Sequence, residues 1–178
     1  MYKLTLLALI FSFQFHLNAD EAGEMEDKID LYLSKMSVSQ KVGQLFMVEI
    51  GYITPEEVRK YSIGAVLNGG GSFPYQKRDH TVQDWIDLAD EFYIASSKTE
   101  EGRWSVPVFW GTDAVHGHNN LRGATIFPHN IGLGATRNPK LVEKISNAVA
   151  IEVSSSGLDL TFAPAVSVPR DDRWGRTY

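Results

Sequence analysis

Asp113 stands in the run Gly111-Thr112-Asp113-Ala114-Val115-His116-Gly117-His118-Asn119-Asn120, which gathers a carboxylate, two imidazoles and two amides. Side chains of these types bind hydroxyl-rich ligands, move protons or hold a metal. The run follows Val106-Pro107-Val108-Phe109-Trp110, an apolar stretch that reads as a short buried strand. A second run of the same design closes the chain. There Leu158 to Val168 leads into Arg170-Asp171-Asp172-Arg173-Trp174-Gly175-Arg176. In α/β architectures ligands gather at the carboxyl ends of the strands, so two parallel strands would open both polar runs on one face.

Each group has more than one chemistry open to it. Asp113 could accept hydrogen bonds from two neighbouring hydroxyls of a sugar, cap the next turn, or act as a nucleophile. Nothing in the residues assigns it that last role. His116, His118 and His129 invite a metal, but their spacing is loose and no cysteine or carboxylate completes a ligand pattern. They are expected instead to hydrogen-bond backbone and asparagine groups that shape the loop. Gly69-Gly70-Gly71-Ser72 lacks the Gly-Lys-Ser/Thr ending of a phosphate loop and the spacing of a dinucleotide fingerprint, and predicts a tight strand-exit turn. Neither a metal nor a cofactor is expected.

Trp104 and Trp110 are expected to pack in the core. Arg170, Arg173 and Arg176 carry guanidinium forks suited to paired hydroxyls or carboxylates, and Trp174 could pack on the C–H face of a sugar. For Arg170 and Arg173 an arginine–aspartate network with Asp171 and Asp172 competes with that reading.

The elements that must position these groups alternate. Ser37 with Gln40 is a capping-box pattern before an apolar face of Val38, Val42, Leu45 and Phe46. Thr54-Pro55-Glu56-Glu57 places an N-cap, an N1 proline and a reciprocal glutamate in order. Trp85, Leu88, Phe92 and Ala95 mark another amphipathic helix. Asn138 caps a further one, with Pro139 at N1, apolar Leu141, Ile145, Ala148 and Val149, and Gly157 as its stop. Between the helices lie Ile63 to Leu67, Val106 to Trp110 and Leu158 to Val168, continuously apolar as strands buried on both faces should be. This order predicts α/β architecture with a parallel sheet. A (β/α)8 TIM-like barrel usually needs about 200 residues or more. The expected fold is therefore a partial barrel of about three β/α units, ending inside a polar loop.

The chain has 178 residues, a net charge of -5 and no cysteine. The acidity argues against a nucleic-acid partner, which calls for basic clusters, and disulfides are excluded. Met1-Tyr2-Lys3, the apolar run Leu4 to Phe15 and Leu17-Asn18-Ala19 make residues 1–19 a signal peptide, so export to the periplasm or beyond is expected. The apolar run is too short for a membrane span. The acidic stretch Asp20 to Asp27 reads as a linker.

Taken together, these segments resemble glycoside hydrolase family 3, in particular its exported β-glucosidases and exo-acting glucan glucohydrolases. The likeness runs from Lys35–Gln44 through Gly64–Leu67, Gly69–Ser72 and Gly111–Gly117. It continues through Gly123–Thr136 and Phe162–Pro164 to Arg170–Arg176. So residues 20–178 are identified as the N-terminal part of a barrel domain of that family. Departures such as Gln40, where the family often has an acid, touch caps and not chemistry.

The resemblance implies hydrolysis of terminal β-D-glucosyl residues, from β-glucosides or β-glucan oligosaccharides, with retention. That chemistry uses a nucleophile and an acid/base carboxyl group about 5–5.5 Å apart. The resemblance puts the nucleophilic aspartate, a lysine–histidine pair and the glutamate acid/base downstream of the Arg-Trp-Gly-Arg run, so no catalytic residue is expected within this chain. It sets Asp113 and Arg176 at positions that grip hydroxyls of the non-reducing-end sugar. The chain alone is therefore expected to be inactive. A non-catalytic sugar-binding module is the alternative.

Overall fold

The structure, a computed structural model, describes residues 23–98 and 104–175. The expected signal peptide at 1–19 and Arg176 lie outside the described residues.

Capping chemistry sets the helix starts. In α2 (Val38–Gly43) the Ser37 hydroxyl accepts from the Gln40 N–H while Gln40 reaches back to the Ser37 N–H. Thr54 and Glu57 repeat this reciprocal pair at α3 (Pro55–Tyr61), and Thr81 and Asp84 at α4 (Val82–Ser97). Asn138 accepts from the Leu141 N–H at α6 (Pro139–Ser155). That helix ends at Gly157, whose φ of +86° and Cβ position 2.9 Å from Ala89 Cβ both favour glycine. The first helix, α1, covers residues 23–35, so the acidic stretch expected as a linker is partly helical. Carboxylates in a first helical turn are favoured by the helix dipole. A short helix, α5 (Asn130–Ala135), also had no clear apolar period in the sequence.

Four parallel strands lie in chain order: β1 (Met47–Glu49), β2 (Ala65–Asn68), β3 (Phe109–Thr112) and β4 (Leu160–Thr161). The expected three strands fall one short. Leu45 and Phe46, expected on the face of α2, lie beyond its end and are 84% and 55% exposed. The helix stops at Gly43, which packs so closely against the next segment that a Cβ there would stand 2.1 Å from the Tyr61 carbonyl oxygen. The Gly43 and Phe46 carbonyls then take the N–H groups of Gly64 and Ala65, so the chain runs on as β1 beside β2. β3 begins later than expected, at Phe109, and β4 is short.

Sequential order with every neighbour parallel is the winding of a (β/α)8 barrel; a doubly wound sheet reverses order at its middle. Register gives the sheet two distinct faces. Val66, Trp110 and Asn68 point to the helical side, where Trp85 and Phe92 of α4 pack their rings 5.6 and 5.8 Å from that of Trp110. Val58, Val149 and Val153 complete this core. Met47, Ala65 and Phe109 are paired on the opposite face, with Glu49, Leu67, Gly111 and Leu160 in the next row. On that inner face Phe109, Leu160 and Phe162 are 42%, 37% and 48% exposed. Trp110 is thus a core residue, as expected, while Trp104 is half-buried against Tyr32 and Lys35 of α1. No helix among the described residues is long and apolar enough to cross a membrane.

Candidate functional site

Strand alternation places Asp113 on the inner face, one pleat beyond Gly111 and at the carboxyl end of β3. It is exposed, and among the described residues its carboxylate takes no hydrogen bond or ion pair. Everything around its backbone is fixed. The residue before it, Thr112, is buried and accepts a hydrogen bond from the Asn68 amide at 3.0 Å. Asn68 is oriented in turn by the Trp110 indole N–H, which donates to its Oδ1 at 2.9 Å. This chain of buried polar groups joins the exits of β2 and β3 with each atom satisfied. After Asp113 the backbone turns through Ala114, a buried non-glycine residue at φ 42°.

The other polar residues of the run hold the loop. Asn120 donates to the carbonyls of Gly69 and Ser72 at 2.6 and 3.2 Å, tying the β3 exit to the glycine turn after β2. That turn closes on itself, since the Gly69 carbonyl accepts from Gly71 and Ser72. His116 Nδ1 lies 3.2 Å from the Phe127 carbonyl, and the Phe127 N–H donates to the His116 carbonyl at 2.9 Å. These are the backbone bonds expected of a loop histidine.

His118 differs. It bonds a helix hydroxyl and no asparagine. Ser156 gives its own proton to the Val153 carbonyl at 2.7 Å, so the ring donates from Nε2 to Ser156 Oγ at 2.9 Å. Burial pushes this imidazole down to about 4; the Glu152 carboxylate opposes that shift and His80 adds to it. His116 and His129 face each other with ring centroids 4.9 Å apart, while His118 points into the helical core against Trp85. The three expected loop histidines are thus divided between two environments. Among the described residues no three His, Asp or Glu side chains gather as a metal would need.

Sequence reasoning passed over His80, Thr161 and Glu152. His80 is buried, stacks on Phe73 and links Lys77 to the Arg122 N–H. Thr161 Oγ1 donates to the Asp113 carbonyl at 3.1 Å. Glu152 accepts from both the N–H and the hydroxyl of Thr125. No local pattern marks these residues, because each has at least one bonded partner distant in the chain.

Beyond β4 the polar run is exposed. Arg173 donates to Asp171 through Nε at 2.9 Å and through Nη2, which holds the Asp171 carboxyl down at about 2. That is the arginine–aspartate pairing weighed against a ligand role for Arg173. An apolar cavity of about 310 Å³ lies between α6 and this segment, lined by Ala114, Ile145, Val149, Pro164 and Val166 among others. Asp113 does not line it and no charged side chain does, so it is a packing space and not the polar site.

A family model described as the glycosyl hydrolase family 3 N terminal domain matches residues 37–178. A periplasmic beta-glucosidase of Salmonella typhimurium is 32% identical over 149 residues, which are 81% of this chain and 17% of that protein. A lysosomal beta glucosidase of Dictyostelium discoideum is 29% identical over 164 residues, 84% of this chain and 20% of that protein. The solved exo-1,3/1,4-beta-glucanase from a Pseudoalteromonas species matches with a TM-score of 0.78 at 48% identity, over 85% of this chain and 19% of its own. The chain spans about a fifth of the length of these relatives.

Proposed function

This chain belongs to glycosyl hydrolase family 3, and from that premise we propose that the complete protein removes terminal non-reducing β-D-glucosyl residues from β-glucosides or β-glucan oligosaccharides. The β-glucosidase and exo-glucanase relatives support this substrate class. The observation that carries the site is the exposed carboxylate of Asp113 at the carboxyl end of an inner-face strand, without a hydrogen-bond or ion-pair partner among the described residues. Such a group accepts charge-assisted hydrogen bonds from sugar hydroxyls, roughly twice as strong as neutral ones.

In this reading Asp113 and Arg176 hold the non-reducing-end sugar, and neither makes nor breaks a bond. Hydrolysis proceeds with retention through a glycosyl-enzyme intermediate, on a nucleophile and an acid/base that lie in other parts of the complete protein. Hydrogen bonds from sugar hydroxyls to a fixed carboxylate tighten as the ring distorts toward an oxocarbenium-like transition state, so they raise kcat and not binding alone. The rigid peptide around Asp113 supports that role, because a preoriented acceptor needs no reorganisation at the moment of reaction.

The test is turnover of an aryl β-glucoside by the complete protein, with the anomer of the first-formed glucose read by NMR. β-Glucose is expected. First-formed α-glucose would contradict retention, and no turnover of any β-glucoside would contradict the substrate class. Arg176→Lys is expected to lower kcat/KM about tenfold or more, since an ammonium does not reproduce the guanidinium fork.

Export is part of the proposal. It rests on the leader-like residues 1–19 and on the periplasmic location in the name of the Salmonella relative. Mass spectrometry of the mature protein should find it beginning at Asp20; retention of Met1 would overturn export by this leader.

A further inference from the structure

Thr161 has no place in the chemistry described so far, yet its hydroxyl uses both of its hydrogen-bonding functions at the mouth of the sheet. It donates to the Asp113 carbonyl at 3.1 Å and accepts from the Ala163 N–H at 3.1 Å. The β3–β4 ladder proper reaches the Thr112 carbonyl, which takes the Phe162 N–H at 2.9 Å. One residue further on, a side chain does what the ladder no longer does. Among the described residues, the peptide plane between Asp113 and Ala114 is therefore held by that hydroxyl.

The consequence shows at Ala114. Its φ of 42° lies in the left-handed region that disfavours a residue with a Cβ. It is nevertheless alanine, 3% exposed, with its methyl in the core. A buried methyl resists relaxation of the backbone from one side, and the Thr161 hydroxyl resists it from the other. Strain of this kind persists where the surroundings over-determine a conformation. The Cα–Cβ direction of Asp113 is thereby fixed on both flanks: by the Asn68–Thr112 bond before it and by Thr161 with Ala114 after it.

We propose that Thr161 is a positioning residue that, with the strained Ala114 beside it, aims the Asp113 carboxylate at the sugar. It also ties Asp113 to the segment leading toward Arg176, because the same hydroxyl holds the Ala163 N–H. The proposal rests on the sugar-binding role given to Asp113. Misplacing a contact group by about 1 Å can cost on the order of 10²-fold in rate, which sets the scale of the effect.

The experiment is steady-state kinetics of the complete protein on an aryl β-glucoside, with thermal melts in parallel. Thr161→Val keeps the shape and removes the hydroxyl; kcat/KM is expected to fall about tenfold, with kcat falling more than KM rises. Thr161→Ser restores the hydroxyl and should return kcat/KM to within about twofold of the parent. In an Asp113→Asn background, Thr161→Val should cost less than about twofold further, because both changes act through one carboxylate. An equal loss in both backgrounds, or wild-type kinetics in Thr161→Val, overturns the proposal while leaving the role of Asp113 standing.

Wild-type kinetics in Asp113→Asn would overturn the reading of the site itself, and the proposal with it. Should Thr161→Val fail to fold, Ala114→Gly carries the same test. It removes the strain and the methyl together, so the melting temperature should move little. A kcat/KM loss of about fivefold is then expected, and unchanged activity would refute the positioning role.

Discussion

The exits of β3 and β4 look alike in sequence, each an apolar strand opening into arginines, histidines or carboxylates, and they fold in opposite ways. The β3 exit is bonded into the rest of the domain. Asn120 reaches the β2 turn, His118 reaches Ser156 after α6, and Thr125 reaches Glu152 on α6. In the described part of the β4 exit, Arg173 and the Trp174 N–H both reach back to Asp171, and Val166 and Val168 are 85% and 72% exposed. Asn130, donating to the Ala165 carbonyl at 3.3 Å, is its tether to α5. A polar run in sequence therefore says where a mouth is, and not which side chains face it. In the first run the fold takes up His118 and Asn120, while the Asp113 side chain stays exposed.

Glycine substitutions give the sharpest contrast. Gly117 sits at φ +77°, and a Cβ there would stand 2.3 Å from the Thr125 carbonyl oxygen. Gly117→Ala combines backbone strain with a backbone clash and should cost at least ~3 kcal/mol, seen as loss of the cooperative melt. Gly175→Ala, in the other exit, meets nothing within 4 Å and has no positive φ, so it should stay within about ±0.5 kcal/mol. Equal effects at the two glycines would erase the distinction between the exits.

Asn120→Ala comes next. It strips the donor from the carbonyls of Gly69 and Ser72 at a buried position and should cost about 1–3 kcal/mol in a denaturant titration. Wild-type stability would mean that the glycine turn does not depend on the β3 exit.

The β3 exit is also set apart by acid sensitivity at His118. Burial lowers its folded pKa from 6.5 to about 4, so between those values the unfolded chain binds more protons. The stabilisation is whole above pH 6.5 and is lost as pH falls toward about 4. His118→Gln keeps a donor for Ser156 and removes this titration. Its melting temperature should fall less steeply than the parent's on going from neutral pH to about pH 4.5. Parallel slopes would show that His118 takes up its proton as readily in the folded core as in the unfolded chain.

Legibility in the sequence followed the range of the interaction. The capping boxes at Ser37 and Thr54, the Asn138–Pro139 start and the Gly157 stop act over three or four residues and were readable there. β1 was not, because Met47–Glu49 is too short to show a period and its apolar residues continue those of Leu45 and Phe46, which read as part of the α2 face. The start of β3 was misplaced because Val106–Val108 is as apolar as the strand itself, while the ladder pairs only from Phe109. Asp113 was legible as a strand-exit carboxylate. Its supports were hidden, since Thr161 reaches across 48 positions of chain and Asn68 across 44.

In the proposed function Asp113 binds sugar in the transition state while the rest of its loop serves the fold. The direct measurement is kcat/KM of Asp113→Asn in the complete protein on an aryl β-glucoside, with a thermal melt and an azide-rescue arm. Asparagine keeps the size and one acceptor but loses the charge. A loss of about 10²-fold or more is expected, roughly 2.7 kcal/mol, with an unchanged melt and no rescue by azide. Full activity would contradict the binding role, and azide rescue with an inverted product would make Asp113 the nucleophile.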